Sequence, residues 1–482
     1  MKSKKILFII VFIIFIIILL RVIIEVIDAI DSEKVVRKVK NSIPAVIGIS
    51  ENLSPRIKFC DSVVKPENIV TNNKYWQTVV EKNIYLYSAH YDNRFQLNNI
   101  SYHFVRVIAT VRNEFSAKKL HCLLWSNYSV NPLIVFVISQ ELWVDFWPKD
   151  LTQTLHKSYI FSCPVPQDYK LKVMAISITD GECLQPINYL KISNNFIEQN
   201  KRKEFAVCVK GMDFQKDISI RLIEWIELQL LLGSDLISFY VYSIDRKTQK
   251  VLNYYKKIGK VKTKFVSLPA DLPNSPQIRS EYLSDNIWQK RRLELIAYND
   301  CLYQHLYSHR FVVLLDLDEA IVPRLHLNWN QMIDYIISLE PKALRLYTSF
   351  AAQNVYFFGS LNRKFDQKTS HKEIQTDFVI TKHIYRSANF SRPGFAVKSF
   401  TSTDNCLAVF NHYSLFPLYS NISRYSLISK SLAQLNHYRE DCPKTMFIEC
   451  VDNFMKYWQK DTIALKYKNH LTNRIKDALA NI

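Results

Sequence analysis

The stretch Phe311 to Pro323, FVVLLDLDEAIVP, delivers a cluster of carboxylates straight out of an apolar run. Phe311 to Leu315 is β-branched-rich enough for a buried strand, and Asp316, Asp318 and Glu319 follow where such a strand would end. Open α/β sheets bind ligands outside the carboxyl ends of their strands. Alternate residues of an extended chain point the same way, so Asp316 and Asp318 are expected to face one hard cation, and that cation can hold a diphosphate. Glu319, at the odd position, is expected to point away. A D-x-D by itself is more often a solvated acidic turn; the strand in front of it and the elements around it give this one its weight.

Those elements alternate. Phe205 to Val209 reads as a strand, and Ile218 to Leu232, apolar at 222, 223, 226 and 230, as an amphipathic helix stopped by Gly233. Leu236 to Tyr242 is a strand, Arg246 to Ile258 a basic helix ended by Gly259, and Val261 to Leu268 another strand. A longer helix over Asn286 to Tyr307 leads into the carboxylates; Asn330 to Ser338 then reads as a helix and Ala343 to Phe350 as a strand. Such β-α units predict an α/β fold, a mostly parallel sheet with helices on its faces, over residues 204–465. Before it, over 84–185, short β-prone runs such as YHFVRVIATV, PLIVFVIS and KLKVMAISIT predict a small antiparallel sandwich or sheet domain. Residues 186–203 read as a linker and 25–83 as a stem.

At the beginning, Lys2, Lys4 and Lys5 precede an apolar run from Ile6 to Leu20 that continues past Arg21 through Val22 to Ile24. A helix over 6–24 would rise about 28 Å, enough to cross the hydrocarbon layer with Arg21 snorkelling. No small-residue cleavage pattern follows, so an uncleaved signal-anchor is expected, with residues 1–5 cytosolic and the body luminal. In that setting the N-x-S/T sequons at Asn52, Asn99, Asn127, Asn389 and Asn421 and the nine cysteines become meaningful, since an oxidising compartment favours disulfides. An odd count leaves at least one thiol unpaired within the chain. Cys301, His305 and His309 fall at i, i+4 and i+8 of the long helix, a spacing that would suit zinc; a disulfide beside two ordinary histidines is the simpler reading. The net charge of +19 is dispersed rather than gathered into a stripe, and nucleic acid is not expected as a partner.

Three chemistries place acids after a buried strand. A P-loop would need G-x-x-x-x-G-K-[ST], and the seven glycines include no such array. A haloacid-dehalogenase-like phosphatase would need Thr or Val where Ala320 stands. The third is nucleotide-sugar transfer, in which a metal bridges the carboxylates and a departing diphosphate.

Taken together, YLYSAHYDNR (85–94), FAVCVKGM (205–212), LIEWIELQLLLGSDLISFYVYS (222–243), VLNYYKKIGKV (251–261), YNDCLYQ (298–304), LLDLDEAIVP (314–323) and HYREDC (437–442) resemble glycosyltransferase family 92, over most of the chain from Tyr85. The resemblance implies a GT-A-like domain behind a β-rich one, in a single-pass type II Golgi membrane protein. It further implies inverting transfer of a hexose, galactose first, from a UDP-sugar to a glycan or glycoprotein acceptor such as fucose on N-glycans. Manganese or another divalent cation is the implied cofactor. Carried over, Asp316 and Asp318 become the metal-binding D-x-D, with His412 and His437 as further candidate ligands. Asp316, Lys210 and Arg439 become contacts to the nucleotide. The acceptor's proton needs a base, for which Asp404, Glu440 and Asp441 are candidates. Ala320 stands where an aromatic is usual and Gly211 where proline is common. The alternative is a glycan-binding or scaffold protein that keeps the fold without turnover.

Overall fold

A computed structural model describes residues 58–482, apart from 62, 70, 72–74, 81–82, 113–118, 128, 145–154, 195–200, 366–377 and 444–446. The expected anchor at 6–24, most of the stem and the Asn52 sequon lie outside the described residues, among which no helix is long and apolar enough to cross a membrane. Asn99, Asn127, Asn389 and Asn421 are all exposed.

In the β-rich part, Ile84–Leu97 (β1) pairs antiparallel with Ile100–Val111 (β2), and β2 with Lys157–Val165 (β3). A second antiparallel set comprises His121–Ser126, Ser129–Phe136 and Val173–Thr179. The strand Leu190–Ser193 pairs with both β1 and Val173–Thr179 and joins the two sets into one ten-stranded sheet. Period-two alternation sends Val105, Val107 and Ala109 of β2 into a core shared with Leu124, Val135 and Ile176 of the second set. The Cys122–Cys163 disulfide links the sets across that core.

The α/β part is built on Lys203–Phe214 (β4), Leu236–Ile244 (β5), Val261–Phe265 (β6) and His309–Leu314 (β7), mutually parallel where they touch. Ser219–Leu232 (α1), Arg246–Lys257 (α2) and Ile287–His305 (α3) connect them. Gly233, at φ +118°, ends α1 in the left-handed conformation that favours glycine. Beyond β7 come Glu319–Pro323 (β8), Ser349–Ala352 (β9), Asn354–Phe358 (β10), Tyr385–Ser387 (β11), Lys398–Ser402 (β12), Ser426–Leu427 (β13), Ala433–Arg439 (β14) and Trp458–Lys460 (β15). Seven strands form the central sheet in the order β6-β5-β4-β7-β12-β9-β13, with β12 antiparallel to both neighbours. A second sheet, β8-β14-β10-β11-β15, stands beside it. The parallel half of the expected sheet is therefore present, but its far half is mixed. Residues 343–346 are a short helix rather than the start of a strand, and β9 begins at Ser349. Phe205, Phe311, Phe400 and Trp329 pack ring against ring beneath the centre, with centroids 5.2 to 5.6 Å apart.

Helix α3 is buried on two sides, and for that reason residues 54–143 and 149–482 pack as one compact unit rather than as two bodies on a linker. Towards the sheet, Cys301 is bonded to Cys208 of β4. This removes the zinc reading: His309 opens β7 instead of continuing the helix, and His305 Nε2 meets Ser238 Oγ at 2.7 Å. Cys60–Cys183 and Cys442–Cys450 complete four disulfides, with Cys406 left as a buried thiol.

Towards the β-rich part, α3 presents Asp300, fully buried and joined to His90 Nε2 of β1 at 3.0 Å, Tyr240 Oη at 2.5 Å and Lys264 Nζ at 2.7 Å. Burial pushes its carboxyl up, but Lys264 and the His90 hydrogen bond overcome that and hold it well below the usual range. Because the folded value is depressed, this stabilisation is present above the unfolded value of about 3.9 and is lost as pH falls below it. Asp300→Asn is therefore expected to cost about 3 kcal/mol at pH 7. Denaturant unfolding of variant and wild type at pH 7 and at about pH 2, well below the unfolded value, should show the gap shrinking in acid; an equal gap at both would contradict it.

Candidate active site

Strand β7 stops at Leu314, and Asp316 to Glu319 form a turn closed by the Glu319 N–H donating to the Asp316 carbonyl at 3.1 Å. Glu319 does not point away. It is buried, its Oε2 accepts the Asp316 N–H at 2.9 Å, and so it braces the turn from inside. Strand parity does not hold here because the backbone is no longer extended.

Two lysines reach Asp316 from neighbouring strands. Lys210, on β4, places Nζ 3.1 Å from Asp316 Oδ1 and 3.2 Å from Glu294 Oε1 on α3. Lys398, on β12 and almost wholly buried, lies 3.4 Å from Asp316 Oδ2, 3.0 Å from Glu319 Oε2 and 2.5 Å from Asn411 Oδ1. Although burial opposes charge on every one of these groups, the two ammoniums hold the Asp316 carboxyl well below its usual range and are themselves raised. Asp316 is thus an ionised anchor for two cations. Lys398, Glu294 and Asn411 escaped the sequence reading; the available signal was a lone lysine inside the β-prone run FAVKSF, where an inward charge demands partners.

Asp318 faces the second sheet. The β8–β14 register sets Glu319 opposite His437, and the Tyr438 N–H donates to the Asp318 carbonyl at 2.7 Å. His437 Nε2 then lies 3.2 Å from Asp318 Oδ2, while the Arg439 Nε–H donates to the same Nε2 at 2.9 Å. One ring nitrogen cannot serve both. Accepting from Arg439, it turns a lone pair towards a carboxylate; protonated, it turns a proton towards a guanidinium. The other nitrogen, Nδ1, lies 3.7 Å from Glu319 Oε1, on the side from which a carboxylate orients a ligating histidine. The Asp318–His437 pair therefore offers what a divalent cation uses, two lone-pair atoms side by side with a carboxylate behind the imidazole. Among the described residues, however, no three His, Cys, Asp or Glu side chains converge on one metal position.

The remaining candidates separate. His412 donates Nδ1–H to the Val397 carbonyl at 2.7 Å, and burial pushes its pKa down to about 3, so it is a neutral imidazole near Lys398 and Asp316. Arg439 joins the cluster through His437. Glu440 and Asp441 follow it on the exposed rim, Glu440 ion-paired with Arg363 and Asp441 accepting from Ser360 Oγ at 3.1 Å. Asp404 is elsewhere. It pairs with Arg202 at 2.8 Å, and the neighbouring Thr403 N–H bonds the Arg310 carbonyl near the start of β7. Six residues of strand, about 20 Å, separate that point from Asp316. The antiparallel course of β12 carries Asp404 to the amino end of the sheet, away from the chemistry.

The sequence model of glycosyltransferase family 92 matches residues 203–481, a span that holds every member of this cluster. The chain belongs to glycosyltransferase family 92. Comparison with curated proteins finds no match. YLYSAHYDNR (85–94) precedes the matched span; the β-rich part meets it at α3, near the ends of β5 and β6, and at 403–419, where Arg94 Nη1 donates to the Cys406 carbonyl at 2.7 Å. As a family 92 glycosyltransferase, the protein binds a sugar donor and an acceptor. The cluster stands at the carboxyl end of β4 and β7, where the open sheet offers a crevice for them.

A small pocket lies against the Asp318 turn, lined by Asp318 and Glu319 together with Arg221, Trp225, Ala320 and Ile380 among others. Glu224 closes it. Burial pushes this carboxyl up to about 7, although it accepts the Val379 and Ile380 N–H groups at 3.0 and 2.8 Å. It anchors the chain on which that wall is built.

Proposed function

We propose that this family 92 member is a GT-A-type, divalent-metal-dependent inverting transferase that moves a hexose, galactose first, from UDP to a hydroxyl of a glycan such as fucose on an N-glycan. The observation that carries the reading is the Asp318–His437 pair, two ligand atoms 3.2 Å apart with Arg439 beside them. The cation, manganese by preference, would be held by Asp318 and His437 and would supply charge neutralisation at the diphosphate. Lys210, fixed by Asp316 and Glu294, is placed to add positive charge to the phosphates, and Arg439, once released from His437, can offer them a bidentate fork. Asp441 best meets the need for a base. It follows Arg439 by two residues on the exposed rim, whereas Glu440 is engaged by Arg363. Four disulfides, exposed sequons and the apolar run at 6–24 support a luminal, Golgi-type membrane setting.

Two protein ligands leave most of an octahedral shell to water and phosphate oxygens. Manganese alone is therefore expected to bind the full chain weakly, and its affinity to rise at least about tenfold when UDP is present, the two enhancing each other by the same factor. Titration calorimetry of each with and without the other tests this. Independent binding of metal and UDP would remove the proposed site, and binding of glycans with no donor turnover across a panel of UDP-sugars would favour a glycan-binding protein instead.

A further inference from the structure

Arg439 and a cation at Asp318 and His437 would compete for one atom. Arg439 follows His437 by two residues on β14, so both side chains lie on the same face of the second sheet. From there the Arg439 Nε–H reaches back and donates to His437 Nε2 at 2.9 Å. Glu319 Oε1, 3.7 Å from Nδ1, draws the ring proton to that nitrogen and leaves Nε2 with the lone pair. Asp318 Oδ2 stands 3.2 Å from the same Nε2. The imidazole atom best placed to ligate is thus capped from within its own strand.

The cap is an arginine whose fork is unused. Lys210 and Lys398 hold Asp316, and Lys398 also holds Glu319, so the cluster's buried carboxylates already have their cations. The Arg439 guanidinium, half-buried at the end of β14, forms no ion pair among the described residues. It spends its Nε–H on an imidazole nitrogen, whereas its planar fork is shaped for two anionic oxygens at once. A diphosphate beside the cluster offers such oxygens, and the guanidinium gains more there than it gives up at His437.

We propose that Arg439 gates the Asp318–His437 pair: with no diphosphate present its Nε–H caps His437, and an arriving diphosphate draws the guanidinium away and frees the lone pair for a cation. This rests on the metal and UDP reading above and adds a regulation of the same site. Each ligand then favours the open arrangement, so cation and diphosphate are taken up together and the empty protein holds a cation poorly. The sign of one substitution separates a gate from an ordinary contact. Removing a ligand or a phosphate contact lowers affinity, while removing a cap raises the affinity for metal alone.

Titration of manganese into the full chain, alone and in saturating UDP, reads the gate. Methionine matches arginine in length as far as Nε but has no N–H there, so Arg439→Met should tighten manganese alone at least about fivefold, the worth of one such hydrogen bond. In saturating UDP the gate is already open, so the variant's manganese affinity should stay within about twofold of wild type, and the mutual enhancement of metal and UDP should fall. Arg439→Gln loses the same charge but keeps an N–H at the same place along the side chain, and its affinity for manganese alone should stay nearer wild type. Manganese alone binding Arg439→Met no more tightly than wild type would overturn the gate and leave the parent reading standing, since wild type still couples metal to UDP. Tightening of equal size in saturating UDP, or in Arg439→Gln, would also overturn it, by showing plain charge repulsion. Wild type in which UDP does not raise manganese affinity would remove both. Arg439 ends its strand without an ion pair, so a thermal melt of either variant should stay close to wild type.

Discussion

Asp318→Asn is expected to abolish manganese-dependent UDP binding and to lower sugar transfer by about a thousandfold. The substitution is nearly isosteric, and Asp318 lies in a turn, partly exposed, where it contributes little packing. It removes a formal charge that His437 alone cannot replace. A cation at the diphosphate supplies several kcal/mol of charge stabilisation, and about 4 kcal/mol corresponds to that thousandfold change. His437→Gln should act in the same direction. The thermal midpoint of the metal-free protein should move little for Asp318→Asn, because the backbone contacts of the turn, the Glu319 N–H to Asp316 and the Tyr438 N–H to Asp318, do not involve the side chain. Calorimetry with and without manganese, paired with a thermal melt, checks both halves. A variant that binds UDP and transfers sugar normally would remove the centre of the proposed function.

Lys398→Met should produce the opposite profile, a stability loss that precedes any effect on chemistry. Its ammonium is almost wholly buried among Asp316, Glu319 and Asn411, and methionine fills the space but leaves two neighbouring carboxylates without their shared cation. Breaking one member out of a buried ion network costs about 3–5 kcal/mol, since the remaining charge stays desolvated. Lys210 still serves Asp316, so the burden falls on Glu319, whose carboxyl burial already raises above its ordinary range. We expect a clear drop in the denaturation midpoint of the apo protein, and a smaller drop for Lys398→Met combined with Glu319→Gln, which removes the stranded charge. Equal losses for the single and double variants would show that Lys398 acts by packing instead of by charge.

Some of this protein was written locally. Five apolar residues before Asp316 specify a buried strand whatever surrounds them, and the helix pattern at 218–232 with its terminal Gly233 is a matter of neighbours a few positions apart; both are where the sequence places them. The motifs from FAVCVKGM to HYREDC likewise carry the family, since each is a contiguous run. Side-chain direction was another matter. Glu319 was expected to face away on strand parity, but the chain leaves the extended conformation after Leu314, and parity has no meaning in a turn. Lys398 meets Asp316 across 82 positions of sequence, and His437 meets Asp318 across 119. Neither meeting follows from composition or period, because each depends on the register of strands that pair only when the whole sheet has formed. The same registers decide the opposite outcome for Asp404, which the antiparallel run of β12 delivers to the wrong end of the sheet. Residue types named the chemistry; long-range pairing, which sequence spacing does not encode, chose which of those residues stand together.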